Sequence, residues 1–298
     1  MSTRKQYIAT GVGCGIGDTL GMSVEGFKRA QIQKYVGRIT EPMAPFIVRD
    51  AAGNRMDSDE FGELGYYDQN KVLRYYTEDL ELGEFTDDTI NYVAIAEALA
   101  ERGLDLQSVA EKRLVAYNAC ILPDGHTRGG FGQTTTAGMK NLQQGISPLE
   151  SGVIGGPGNA PAMMLHGLGL YADATGKYDQ SLQFAELVGR MTHLDPRSLA
   201  GGVVQTHAIY SLLQGVNRKE FVSSLVDICR KYEKPATSEF SLHGWGSLVA
   251  RLEWIQQNKD ATGEAAYLHI TPSSTAYCSH PFALFMFQKI GMRTLLKA

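Results

Sequence analysis

From Thr86 onward the chain sets apolar among polar residues at intervals that suit an α-helix. Ile90, Val93, Ala96 and Leu99 repeat at three-residue spacing, with Tyr92 and Ile95 beside them, which predicts an amphipathic helix with that face inward. Val109, Ala110, Leu114 and Tyr117 predict a second helix over 107–120, and residues 134–143 begin a third. Asn159 ahead of Pro161 predicts a capped helix running to about Tyr171. Asp195-Pro196 is a cap followed by a proline start. The helix it opens should bury Leu199, Val203 and Leu212, with Val204, Ala208 and Ile209 alongside, until Gly215 stops it. Phe221, Leu225, Ile228, Cys229 and Tyr232 mark the next helix, and Leu248, Leu252 and Ile255 another. Pro281 opens a last one, with Phe282, Phe285, Met286 and Ile290 inward.

Two earlier stretches read differently. Residues 5–24 are apolar, with Gly13, Gly17 and Gly21 four apart and Gly11 and Gly15 interleaved. On a helix this makes a stripe without side chains. Each glycine costs roughly 1 kcal/mol relative to alanine, so the run predicts a compensating close contact or a ligand. Asp18 and Glu25, seven residues apart, are expected on one helix face. Residues 37–84 carry turn clusters (Asp50–Asn54, Asp57–Glu60, Gly62–Gly65) and little periodicity. They predict an irregular excursion with short strands near Phe46–Val48 and Val72–Tyr76. No linker, low-complexity tract or repeat interrupts the rest. The expectation is an all-α fold in one compact multi-helix domain over 1–298.

Composition narrows the function classes. Hydrophobic residues make up 43% and charged residues 20% of 298, which excludes a disordered or fibrous chain. A net charge of -4 and a pI near 6.0 offer no general attraction for nucleic acid. Four scattered cysteines without a CxxC pair exclude a disulfide framework and a thiolate zinc site. The first residues lack an apolar leader core, mean hydropathy is -0.18, and no window approaches a membrane span. The expected setting is cytoplasmic, without a membrane partner. GxSxG, GxxxxGK[ST] and HExxH are absent, and G-x-G-x-x-G fails in every register of Gly11–Gly21.

The strongest local signal is Phe85-Thr-Asp-Asp-Thr89, placed where the helical pattern begins. Read as a cap, Thr86 closes the helix start, and Asp87 and Asp88 favour its dipole by about 0.3–1 kcal/mol each. Read as chemistry, two carboxylates and a hydroxyl are the oxygen ligands a hard cation such as Mg2+ prefers. Neighbouring helical residues point about 100° apart, so both carboxylates reach one ion only at a frayed helix start. Glu25 is a candidate site carboxylate. Gly155-Gly-Pro-Gly-Asn159 is either a phosphate-binding loop at a helix start or an ordinary turn and cap. Arg128–Thr136 is glycine-rich, with Gln133 and Thr134 as polar contacts for a ligand, or simply a flexible loop. Thr192-His193-Leu-Asp195 reads as a capped helix beside a histidine.

In order, these pieces resemble the ADP-ribosylglycohydrolase family, which includes dinitrogenase-reductase-activating glycohydrolase and the J1 crystallins. The match runs through Gly13-Cys-Gly-Ile-Gly-Asp-Thr-Leu-Gly21 with Glu25 and Thr86-Asp-Asp-Thr89. It continues through Gly132-Gln-Thr134, Gly158-Asn159 with Met163, and Thr192-His193 with Asp195. The resemblance implies an all-α fold, a binuclear magnesium centre and hydrolysis of the bond joining ADP-ribose to a protein side chain or a related molecule. Carried onto this chain, Thr86, Asp87 and Asp88 would be metal ligands, and Glu25 would lie on the loop closing over the metals. Asp87, Asp88 and Glu25 would be the catalytic acids. Gly132, Gln133, Thr134, Gly158, Asn159 and His193 would hold ADP-ribose.

Three departures accompany the match. The family's C-terminal Gly-Asp-x-Asp-Thr motif is not found here, and Asp260 is the only aspartate after Asp227. An aspartate usual two residues before the Gly132 position is Gly130, and an arginine usual after the methionine is Met164. One Mg2+ is expected to be held better than a second. Two further readings follow: a catalytically impaired member that binds ADP-ribose or a partner, and a crystallin-like structural protein.

Overall fold

Asp195 accepts a hydrogen bond from the Arg197 amide at 2.9 Å and so starts helix α9 (Pro196–Leu213). This helix is the hub of its surroundings. It touches α6 (Ala160–Met164), α7 (His166–Thr175), α8 (Tyr178–Arg190), α10 (Arg218–Tyr232) and α11 (Leu248–Gln257). Glycine permits the closest approaches. A β-carbon on Gly169 of α7 would stand 2.7 Å from the Thr206 carbonyl, and one on Gly202 would stand 2.7 Å from Leu165. Val204 and Ala208 of α9 share a core with Phe221, Leu225 and Cys229 of α10, Leu248, Leu252 and Ile255 of α11, and Ile270 and Phe285.

The computed structural model describes residues 2–54, 56, 65–67, 71, 73–75, 77–234 and 246–291, with the backbone alone for 65–67, 73–75 and 291. These residues form two compact units. One holds the described parts of Met1–Ile8, Tyr92–Leu114 and Gly132–Ala298, the other those of Ala9–Asn91 and Val115–Phe131. The remaining helices are α1 (Arg4–Met22), α2 (Arg29–Gln31, running into the π-helical Ile32–Val36), α3 (Asp87–Arg102), α4 (Leu106–Ala119), α5 (Gln133–Gln143), α12 (Gly263–Ile270) and α13 (Ser279–Met286). Among the described residues the fold is all-α apart from one antiparallel ribbon, β1 (Gly65–Tyr67) against β2 (Leu73–Tyr75), registered with Tyr66 opposite Arg74. None of the described helices is long and apolar enough to cross a membrane.

Several expectations change. On α3 beyond its first turn the buried residues are Asn91, Tyr92, Ala94, Ile95, Ala98 and Leu99, whereas Val93 is 42% exposed. Three-residue spacing slips about 60° per step, so Ile90 and Leu99 cannot share a face. The helix expected from Asn159 to Tyr171 breaks at Leu165 into α6 and α7. Ile290, expected inward, is 58% exposed in π-helical turns after α13. Phe46–Val48 is not a strand. It meets Ser23 and Met56 through single backbone hydrogen bonds and buries Val48 among Phe27, Tyr35, Ile47 and Met56. Leu73–Tyr75 is a strand, while Val72 and Tyr76 lie outside the described residues. Among the described residues, β-carbons at Gly13, Gly17 and Gly21 would meet nothing within 4 Å, and one at Gly15 would lie 3.8 Å from the Thr89 methyl group, an ordinary contact. Helices α8 and α12 were not anticipated, although α8 buries Leu182, Ala185 and Val188 at regular helical spacing.

Candidate active site

Asp18 on α1 and the first turn of α3 meet through four hydrogen bonds. Asp18 Oδ2 accepts from the Thr86 amide at 2.9 Å, the Thr89 amide at 3.2 Å and the Thr89 hydroxyl at 2.7 Å. Asp18 Oδ1 accepts from the Thr86 hydroxyl at 2.8 Å. Free amides at a helix start need acceptors, and here the main acceptor comes from a distant residue rather than from Thr86. Glu25 does not extend the Asp18 face of α1, because α1 ends at Met22 and Glu25 sits in the turn beyond it.

Three oxygens converge at this helix start. Thr86 Oγ1 lies 2.8 Å from Asp18 Oδ1 and 3.0 Å from Asp88 Oδ2. Two oxygens on adjacent corners of a magnesium octahedron, each about 2.0–2.1 Å from the metal, stand about 2.9 Å apart. Hard, oxygen-only donors at this spacing fit a divalent cation. Among the described residues no three His, Cys, Asp or Glu side chains gather as a metal cage, so any ion here would need the Thr86 hydroxyl beside the carboxylates.

The electrostatics agree with crowded negative charge. Desolvation pushes the Asp88 carboxyl up to about 6, the Asp18 charge adds to the rise, and a hydrogen bond from the Thr86 hydroxyl opposes it when the single hydroxyl proton faces Asp88 rather than Asp18. Glu25 is open to solvent yet closely surrounded by protein. Desolvation, then the charges of Asp88 and Asp18, push its carboxyl up to about 7. Cys14, one turn before Asp18, is raised to about 11, mainly by burial. Positive charge brought among these carboxylates would reverse the cost of ionising them.

Asp87 is placed differently from Asp88. It is buried, its amide donates to the Gly129 carbonyl at 2.7 Å, and its own carbonyl accepts from the Asn91 side chain at 2.8 Å. Its charge acts on the buried thiol of Cys120, which burial raises and Arg128 lowers. The adjacent acids of the motif thus have different neighbours, as a 100° step along a helix dictates.

The remaining expected residues lie in the other unit. Gly132 precedes α5 as its N-cap, Gln133 is exposed and Thr134 is partly buried. A β-carbon on Gly155 would stand 2.7 Å from Thr134 Oγ1, which brings the two glycine loops together. Asn159 is the N-cap of α6 without a side-chain cap bond. The Gly158 and Asn159 amides already donate to Gly156 and Ser274 carbonyls at 2.8 and 3.0 Å. His193 is buried, with Nδ1 2.9 Å from Thr192 Oγ1. Burial, then the charge of Arg113, hold it down to about 4 against the pull of Asp195. It is therefore a neutral imidazole at pH 7. Arg113, almost fully buried in α4, gave no sign in the sequence, where it stands in a run of charged residues with Glu111 and Lys112.

These features define an all-α protein with carboxylate and hydroxyl oxygens gathered at a helix start. The chain belongs to the ADP-ribosylglycohydrolase family, whose model matches residues 1–297. It is 26% identical over 262 residues to the uncharacterized protein YegU of Escherichia coli, covering 85% of this chain and 67% of that one. An uncharacterized protein of Archaeoglobus fulgidus is 26% identical over 227 residues, covering 74% of this chain and 60% of the relative. The chain thus spans about two thirds or less of these relatives' length. A solved structure described as an ADP-ribosylglycohydrolase-related protein complex has the same fold, with a TM-score of 0.56, 21% identity, and coverage of 97% of this chain and 78% of that one.

Proposed function

We propose that this chain is a Mg2+-dependent hydrolase that cleaves the glycosidic bond of ADP-ribosyl groups on protein side chains or on a related ADP-ribosylated molecule. Family membership supports a glycohydrolase-type function. The observation that carries the reading further is the meeting of Thr86 Oγ1 with Asp18 and Asp88 at 2.8 and 3.0 Å. Thr86 and Asp88 are the residues suited to hold an ion, with Asp87 as the motif's third donor. When bound, Mg2+ supplies a Lewis acid and lowers the pKa of a coordinated water. Glu25, whose carboxyl desolvation and the charges of Asp88 and Asp18 push up to about 7, is the residue assigned to proton transfer. Gly132, Gln133, Thr134, Gly158, Asn159 and His193 are the residues assigned to ADP-ribose. A neutral His193 can donate one hydrogen bond and accept one without adding charge. An ADP-ribosylated protein is the expected partner, in a cytoplasmic setting.

The test is release of ADP-ribose from an ADP-ribosylated protein. Release should require Mg2+, stop with EDTA and be lost in Asp88→Asn. Full release in a metal-free preparation would overturn the reading. A second reading, a member that binds ADP-ribose with little turnover, draws on two residues. Gly130 has φ +82°, a backbone that a side chain rarely adopts, and Met164 is fully buried where the family pattern has arginine. Calorimetry with ADP-ribose and Mg2+ separates the two: binding without turnover favours the second.

A further inference from the structure

Thr86 has one hydroxyl proton and two carboxylates beside it. A hydroxyl donates once and accepts twice. Asp18 Oδ1 stands at 2.8 Å and Asp88 Oδ2 at 3.0 Å, so with both carboxylates ionised, the state that binds a cation, one of these contacts sets acceptor against acceptor. Asp18 is held in place on its other oxygen by the Thr86 amide, the Thr89 amide and the Thr89 hydroxyl. The shorter contact and the locked carboxylate assign the proton to Asp18. One Thr86 lone pair then faces the Asp88 amide at 3.3 Å, and the other faces Asp88 Oδ2.

We infer that Asp18 is a positioning residue for a divalent cation: it keeps the Thr86 proton on its own side and so presents Thr86 Oγ1 and Asp88 Oδ2 together as a two-oxygen seat. Nothing in the motif Thr86-Asp-Asp-Thr89 contains this residue, and its role differs from capping. The inference rests on the metal reading of the proposed function. Partners that orient metal ligands without touching the metal commonly account for about 10–100-fold in affinity.

Asp18→Asn separates orientation from capping. Asparagine caps helices about as well as aspartate. Its oxygen can replace Oδ2 among the donors of Thr86 and Thr89, which places its NH2 against Thr86 Oγ1. That amide donates into the lone pair that the ion needs and turns the hydroxyl proton toward Asp88. The full chain is titrated with Mn2+ followed by electron paramagnetic resonance, with circular dichroism melting as the check on folding. The expected result is about a 10–100-fold weaker Kd for Asp18→Asn with cooperative melting retained. Thr86→Ser should keep tight binding and stay sensitive to Asp18→Asn. In Thr86→Val, which has no hydroxyl to orient, Asp18→Asn should cost nothing further. Mn2+ binding unchanged in Asp18→Asn, or the same loss again in Thr86→Val, would overturn the positioning role alone. Absence of Mn2+ binding in the wild-type chain would overturn the metal reading, and the positioning role with it.

Discussion

His193 and Gly158 are so close that a β-carbon on the glycine would stand 2.7 Å from His193 Nε2. The glycine carbonyl accepts from the Ser198 hydroxyl at 2.7 Å, and its neighbour Asn159 is tied to Ser274. The loop therefore has little freedom to retreat, and the imidazole is itself buried and bonded to Thr192. A single methyl group at 158 must displace one of them.

Gly158→Ala should accordingly lower stability by about 1–3 kcal/mol, the usual cost of overfilling a close-packed place. Urea unfolding measures it. If His193 contacts ADP-ribose, the same variant should weaken ADP-ribose binding in calorimetry, whereas Gly156→Ala, with open space around its β-carbon, should not lower stability by more than about 0.5 kcal/mol.

Acid should expose the buried histidines. Burial holds His166, His193 and His207 down to about 4 and His280 down to about 3, below the ordinary 6.5. Below about pH 6.5 the unfolded chain binds protons that the folded chain refuses. Their contribution to stability is therefore complete above pH 6.5 and is lost as pH falls toward 4. Glu25 and Asp88 act in the opposite direction, because their folded values are raised. A difference measurement isolates one group. Between pH 6 and pH 4 the stability of wild type relative to His280→Gln should fall by up to about 1.4 kcal/mol per pH unit. Equal slopes for the two proteins in urea titrations would contradict this.

The inward face of α3 can be tested by truncation. Ile95 is fully buried and Val93 points outward, so Ile95→Ala should cost about 2–5 kcal/mol and Val93→Ala within about 0.5 kcal/mol. Thermal melting distinguishes this from the face that three-residue spacing suggests, on which Val93→Ala would also carry a core-sized cost.

Restoring the aspartate at 130 should not be neutral. Gly129 and Gly130 have φ of +89° and +82°, and the Gly129 carbonyl holds the Asp87 amide. Left-handed backbone costs an L-residue roughly 1–2 kcal/mol. Gly130→Asp is expected to lower the melting temperature by that free energy. Melting unchanged from wild type would mean that the turn accepts a side chain.

The helices with strong caps and wide apolar stripes were legible in the sequence: Asp195-Pro196 opens α9, and Leu248, Leu252 and Ile255 lie inward on α11. The place of the Thr86 motif at a helix start was legible too, because capping is local. Less legible were α8, whose Lys177 N-cap has no side-chain cap bond, and the break at Leu165, where Gly169 and Gly202 allow helices to approach that the linear pattern does not place side by side.

By itself the sequence determined that the chain is helical, where most of its helices run and which family it belongs to, since period, caps and motif order all act between near neighbours. Only the tertiary structure decided that α3 turns Val93 outward, that Asp87 and Asp88 part company, and that Asp18 grips the start of α3 from 68 residues away. A hydrogen bond across that separation depends on how two helices meet in space, and it leaves no periodic trace along the chain.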